Sequence, residues 1–373
     1  MGARPRGGRR ARASVGPARR HPAPRPRALS SSRGSRDSTP ERGEAGSRGE
    51  AGSRGETDSR GEAGSRGEAG STPERLRARA RALASARAFF ESRGYVEVET
   101  PIAVPSPGLD LHLDAFALSP GDRFLSTSPE YQMKRLLAAG AGRIFQITRA
   151  FRAGERGERH NPEFTILEFY RPNAGIDAVM RDTEQLVARI TGGAVTLDGR
   201  TIDLRPPFLR LPLADAFERY AGVARDEMLR LASEDEDTFF EKLAFEVEPG
   251  LAALDRGVFV VDYPASQASL ARKRGEDPRF AERFELYVAG VELCNGFGEL
   301  VDPIEQRARF EHDQALRRAR GKPVYPIDER FLAALTAGMP DSGGNALGLD
   351  RLIALTCGTR TIAEVLAFPD TEL

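Results

Sequence analysis

The sequence predicts an α+β fold: a mixed, mainly antiparallel sheet flanked by helices, preceded by a disordered N-terminal tail. Three observations lead there. Strand-like runs come mostly in pairs joined by hairpins, whereas a Rossmann alternation would place a helix between successive parallel strands. Segments with helical periodicity fall outside these pairs. No G-x-G-x-x-G or P-loop motif occurs anywhere in the 373 residues, so a nucleotide would have to be held in some other way.

The tail comes first. Residues 1–36 contain eleven arginines and no acid, the first acidic residue being Asp37. From Arg42 to Ser71 the sequence repeats G-E-A-G-S-R, with GETDSR at Gly55 to Arg60 as the imperfect copy, and STPER brackets the repeat at Ser38 and Ser71. Gly, Ser, Arg and Glu without large apolar side chains cannot bury enough surface to offset chain entropy. Residues 1–72 are therefore expected to be disordered and 73–373 to form one domain. A period of six is too short and too polar for a solenoid. Three readings of the arginine-rich start compete: a solvated or translated upstream segment, a contact for RNA or another polyanion, and a transit peptide. Its Pro and Gly content argues against the amphipathic helix that the last would need.

Glu74 to Arg93 predicts a helix, with Ser71 or Thr72 as its cap, Pro73 in its first turn and Gly94 ending it. Tyr95 to Thr100 alternates as a strand that Pro101 stops. Ile144 to Phe151 and Phe164 to Phe169 flank a charged loop as a hairpin. Ile176 to Ile190 and the acidic stretch Asp226 to Leu243 read as helices. Phe259 to Tyr263 and Phe284 to Leu293 read as strands, and Glu305 to Arg320 as a helix. Ala346 to Gly348 is a short strand entering a helix at Leu349 to Cys357.

The 55 basic and 55 acidic residues balance. Cys294 and Cys357 are the only cysteines, which excludes a disulfide framework and a cysteine-rich zinc site. No apolar run reaches membrane-spanning length and no secretory segment is visible. A cytoplasmic protein with no membrane partner is expected.

The hairpin loop carries the clearest chemistry. Arg152, Arg159 and His160 beside Phe164 suit a nucleotide, the cations meeting phosphate and the ring stacking on a base. Glu168 and Tyr170 are two apart on the return strand and so share a face; a buried carboxylate and phenol there could meet a cationic substrate. Charged hairpin loops are commonly only solvated, so the remainder of the chain has to decide.

Three segments in order decide it. Arg93 to Pro101 (RGYVEVETP), Phe151-Arg152 through Phe164, and Gly348-Leu349-Asp350-Arg351 resemble motifs 1, 2 and 3 of class II aminoacyl-tRNA synthetases. RHNPEFT followed by Glu168 and Tyr170, together with ELCNGFGEL at Glu292 to Leu300, is similar to the lysyl-tRNA synthetase group. The resemblance runs from about Pro73 to the C-terminus and includes no anticodon-binding domain. A core of that kind resembles the elongation factor P–lysine ligase family, as do TSPEYQMKRLLAAG at Thr127, DYPASQASLA at Asp262 and GMPDSGGNALGLDR at Gly338.

The resemblance implies a set of roles. Arg152 would hold the α-phosphate and the substrate carboxylate, and Phe164 and Arg351 would sandwich the adenine. Arg159 and His160 would meet the outer phosphates of ATP. Glu285 and Glu292 would hold Mg²⁺; on one strand seven residues apart they would face opposite ways, so the pair requires a bulge or bend. Glu130, Glu168, Tyr170, Asn295, Phe297 and Glu299 would line the amino-acid pocket, since a substrate with two ammonium groups needs several carboxylates. Ala346 stands where lysyl-tRNA synthetases tend to carry Gly, which disfavours α-lysine relative to β-lysine. Cys294, at a commonly small position, is a packing residue. The usual motif 2 glutamate is replaced by Gly154, leaving Glu155 as the one neighbour able to substitute.

An ATP-dependent ligase is therefore expected, forming an aminoacyl-adenylate of (R)-β-lysine or lysine and passing it to a lysine side chain of elongation factor P. Motif 1 implies a homodimer. A tRNA-charging enzyme and a non-catalytic paralogue are the rival expectations; the missing anticodon domain makes tRNA the poorer acceptor.

Overall fold

The computed structural model describes residues 71–373. The expected tail lies, but for its last two residues, outside them. Helix α1, Pro73–Glu91, is capped by Thr72, whose side chain accepts from the Arg75 amide, and Pro73 occupies its first turn.

Eight strands form the central sheet: β1 Val96–Glu97, β2 Ile144–Phe151, β3 Glu163–Pro172, β4 Leu209–Pro212, β5 Val258–Pro264, β6 Phe280–Val288, β7 Val291–Gly298 and β8 Ser342–Gly348. Their order across the sheet is β1-β2-β3-β8-β7-β6-β5-β4. Only the outermost pairs, β1 with β2 and β4 with β5, run parallel; every pair between them is antiparallel. The mixed, mainly antiparallel sheet read from the hairpin pairs is thus present.

Alternation along the strands gives the sheet two different faces. Phe145, Leu167, Phe169, Leu347, Cys294 and Phe284 point to one side. There they pack under Phe89 and Phe90 of α1, Val179 and Leu186 of α2 (Ile176–Thr191), and Leu352 of α3 (Leu349–Thr356). On the other side Ile144, Tyr170 and Phe297 pack with Tyr131 and Phe310 in a second core. This second core covers only part of the face, and a cavity occupies the rest.

Three sequence readings change. The run Phe284 to Leu293 is not one strand: Ala289 (φ 49°) and Gly290 (φ 74°) turn it into the β6–β7 hairpin, with Val288 opposite Val291. Two consecutive positive φ values define a two-residue hairpin turn; Ala-Gly announces it weakly, because alanine is uncommon in that conformation. The strand read over Tyr95 to Thr100 shrinks to β1, since its only partner is β2 and the last bond to it is donated by the Val98 amide. The helix read over Asp226 to Leu243 breaks at Asp235, which ends Arg225–Glu234 and caps Glu236–Lys242 by accepting from the Thr238 amide. A local polar side chain there competes with helix continuation.

Candidate active site

The open side of the sheet carries two cross-strand rows. One runs Gln146, Glu168, Ala346, Asn295, Glu285 and the next Ile144, Tyr170, Gly344, Phe297, Arg283. Residues opposed in an antiparallel ladder share a face, so one register brings together side chains from five strands. Over these rows lies a cavity of about 1150 Å³, large enough for a nucleotide and an amino acid together.

The hairpin loop and α3 build the cationic half. Arg152, Glu155, Arg159, His160, Phe164, Glu292 and Arg351 all line the cavity. The Arg152 guanidinium lies 4.9 Å from the centre of the Phe164 ring and 3.5 Å from the Glu155 carboxylate. Arg351 donates to the carbonyls of Arg159 (3.2 Å) and Glu292 (2.9 Å), and its other nitrogen lies 2.9 Å from His160 Nε2. Burial and the neighbouring Arg351 hold the His160 imidazole below its ordinary pKa, which suits a ring that accepts from the guanidinium. Arg159 is tied to the β6–β7 turn through the Gly290 carbonyl at 2.8 Å. Asp350, beside Arg351, is buried and accepts from Arg79 of α1 (2.5 Å) and from the Thr165 amide of β3 (2.6 Å). It locks the start of α3 against two other elements. The motif was read for its arginine, and the anchoring role of Asp350 was missed because Arg79 lies 271 residues away.

The carboxylate half was expected to be an open pocket. Glu130, Asn295, Phe297 and Ala346 do line the cavity, but Glu168, Tyr170 and Glu299 sit behind its wall. Glu168 accepts from the Ser128 hydroxyl (2.8 Å) and the Tyr170 hydroxyl (2.6 Å). Burial, with a contribution from Glu130, pushes its carboxyl up to about 8. Lys134 was not anticipated. Fully buried on the helix Glu130–Ala138, its ammonium lies 2.6 Å from Glu130 and 2.5 Å from Glu299. Burial raises the Glu299 carboxyl to about 7 against the opposing pull of Lys134, and neither Glu299 oxygen receives an aligned hydrogen bond. The i, i+4 spacing of Glu130 and Lys134 was the available signal. Two carboxylates thus share one internal ammonium, while Glu168 beside them is held by hydroxyls alone.

For a metal, Glu285 and Glu292 now lie on paired strands, with a register shift between Leu286 and Tyr287 that supplies the required bend. Glu285 is already engaged, accepting from Tyr263 (2.6 Å), Tyr287 (2.8 Å) and Arg283 (2.6 Å). Glu292 keeps 40% exposure, with Arg351 at 3.4 Å, and its carboxyl is raised by burial and by Glu285. Glu248 joins them electrostatically; burial and then Glu292 raise it to about 7. No group of three or more metal-capable side chains converges among the described residues. The donor set fits a magnesium ion that takes most of its ligands from phosphate and water, with Glu292 the better placed carboxylate.

Gly154 adopts φ +83° and an added Cβ would meet nothing within 4 Å. The left-handed backbone, not lack of room, explains glycine where a glutamate was expected. Cys294 is buried and its thiol pKa raised by that burial, as a packing residue requires.

A mixed antiparallel sheet with an arginine-bearing hairpin loop and a capping arginine helix defines a class. The family model described as tRNA synthetases class II (D, K and N) matches residues 68–372, and the chain belongs to that family. Among curated proteins it is similar to the elongation factor P–(R)-β-lysine ligase of Enterobacter sp. (strain 638), 44% identical over 284 residues, covering 73% of this chain and 87% of that protein. The elongation factor P–(R)-β-lysine ligase of Edwardsiella ictaluri (strain 93-146) is 46% identical over 287 residues, with the same coverage. No helix among the described residues is long and apolar enough to cross a membrane.

Proposed function

We propose that this chain activates (R)-β-lysine, or lysine, with ATP as an aminoacyl-adenylate and transfers it to a lysine side chain of elongation factor P. One observation carries the reading. A single cavity joins an arginine-lined half to a half walled by Glu130, with the buried Glu168 and Glu299 behind it and one internal ammonium, Lys134, paired to Glu130 and Glu299. A substrate with two ammonium groups supplies the cations that this half lacks. The names of the two relatives agree with this substrate and acceptor.

The substrate carboxylate attacks the α-phosphorus in line and pyrophosphate leaves. Arg152 neutralises the charge that develops at phosphorus, and Phe164 and Arg351 hold the adenine between a ring and a guanidinium. Arg159 and His160 meet the outer phosphates. Glu155, ion-paired to Arg152, is the carboxylate nearest the position that Gly154 leaves empty. Bound Mg²⁺, held by Glu292 and, where its present donors yield an oxygen, by Glu285, would screen the phosphate charge. An amine then attacks the adenylate carbonyl, forming an amide and releasing AMP. The exposed Val96 (56%) and Ile102 (42%) beside the edge strand β1 support a homodimer.

Intact-mass measurement of elongation factor P after incubation with enzyme, ATP and each lysine isomer tests the reading. A mass increase of one lysyl group, greater with the β isomer, is expected. Charging of tRNA(Lys) with no change in elongation factor P would overturn it.

A further inference from the structure

The cavity extends beyond the reaction centre. The helix Pro303–Ala319 carries Gln306, Phe310 and Asp313 at helical spacing on one face, and all three line this extension. Ser106 and Asp110, on the loop between the short strands Ala103–Val104 and Ala117–Leu118, line the same cavity. Tyr131, next in sequence to Glu130, also lines the cavity and its ring lies 5.4 Å from Phe310.

Two observations show that this extension wants a ligand. Gln306 is 0% exposed, yet neither its amide nitrogen nor its amide oxygen has a hydrogen-bond partner, and the buried Ser106 hydroxyl also has none. Buried polar groups in folded proteins are almost always partnered. Asp313 likewise receives no hydrogen bond or ion pair among the described residues, although Arg309 and Arg317 flank it on its own helix. Arg309 is engaged by Glu305 and the carbonyls of Ser269 and Ala271. Arg317 is engaged by Asp114 and four backbone carbonyls. Burial and the facing Asp110 raise the Asp313 carboxyl to about 7.

The chemistry specifies the visitor. Phe310 with the buried Leu109 and Leu270 offers apolar wall, Asp313 and Asp110 offer negative charge, and Gln306 and Ser106 offer neutral donors and acceptors. A long aliphatic stem ending in an ammonium matches all three. We infer that this extension receives the acceptor's lysine side chain, Asp313 holding its ammonium and Gln306 its chain, before the amine reaches the adenylate. The inference rests on the proposed function and adds to it a path for the second substrate, separate from the site that activates the first.

The test compares wild-type full chain with Asp313→Asn and Gln306→Leu in three assays. ATP–pyrophosphate exchange reads activation. Hydroxamate formation with hydroxylamine, a small uncharged nucleophile, reads adenylate reactivity without an ammonium. Amide formation on elongation factor P and on Nα-acetyl-lysine amide reads the lysine path. Exchange and hydroxamate should be unchanged in both variants, which also shows that they fold. Transfer to both lysine acceptors should fall about tenfold or more in Asp313→Asn, the loss expected for a hydrogen bond to a charged group. Undiminished transfer, or exchange falling in parallel, overturns the inference. If the wild type modifies lysine amide but not elongation factor P, the proposed acceptor is wrong, and the variants' lysine-amide rates still decide the path. A wild type that uses hydroxylamine alone overturns both.

Discussion

Glu168 and Glu299 show how far environment sets chemistry at a single residue. Both carboxyls titrate near neutrality, at about 8 and about 7, because burial disfavours their charged forms. From just behind the cavity wall an ionised carboxyl attracts a substrate ammonium and a protonated one does not, so in the proposed reaction substrate binding should tighten as pH rises through that range. Exchange kinetics from pH 6 to pH 9 should show KM for the amino acid falling, and Glu168→Gln should flatten its share of the slope. Linkage runs the other way for folding. Carboxyls with raised native pKa values bind more protons when folded, so their stability contribution is present at low pH and is lost as pH rises from the ordinary glutamate range through about 8. Lys134→Met removes the ammonium paired to both Glu130 and Glu299, and urea unfolding should show a loss of about 3–5 kcal/mol at neutral pH. Ala346→Gly removes a methyl from the row between Glu168 and Asn295. The ratio of exchange rates should move toward α-lysine by about tenfold or more, as a methyl-scale change in a pocket allows.

Among the elements, the β6–β7 hairpin has most influence on the site, because its turn places Glu285 and Glu292 on paired strands and its Gly290 carbonyl holds Arg159. A Cβ at Gly290 would meet the Ala252 Cβ at 2.6 Å, on a backbone with φ +74°. Gly290→Val should therefore destabilise the protein by about 1–3 kcal/mol and raise KM for ATP more than KM for the amino acid. A thermal melt and exchange assays check both. Restoring the expected glutamate by Gly154→Glu meets no steric barrier but does meet the φ +83° backbone. A cost of about 1–2 kcal/mol is expected, with no tightening of ATP binding. Much at this scale was legible. The 144–172 hairpin showed in its alternation and charged loop, and α1 in its cap and proline. The 284–293 run was misread because Ala-Gly is a weak turn signal inside a continuous apolar stretch.

Across the whole molecule, the sheet is a platform with a filled face and an open one. The filled face, under α1, α2 and α3, supplies rigidity; the open face carries the candidate site's side chains in rows set by strand register. The edge that β1 leaves, with Val96 and Ile102 exposed, is where a second copy is expected. Sedimentation should give a dimer mass, and Val96→Asp should shift it toward monomer.

What the amino-acid order determined by itself was everything carried by local spacing. The Phe151 to Phe164 loop, the Gly348 to Arg351 run and the alternating Asn295, Phe297 and Glu299 carry the resemblance to one family, and that resemblance, rather than the spacing alone, implies the reaction. Tertiary structure alone decided which groups share a dielectric and a charge. Lys134 becomes the partner of Glu299, Asp350 the anchor of Arg79, and Gln306 with Asp313 the wall of a second path. Those relations depend on burial and distance between segments far apart in the chain, and only the folded sheet fixes either.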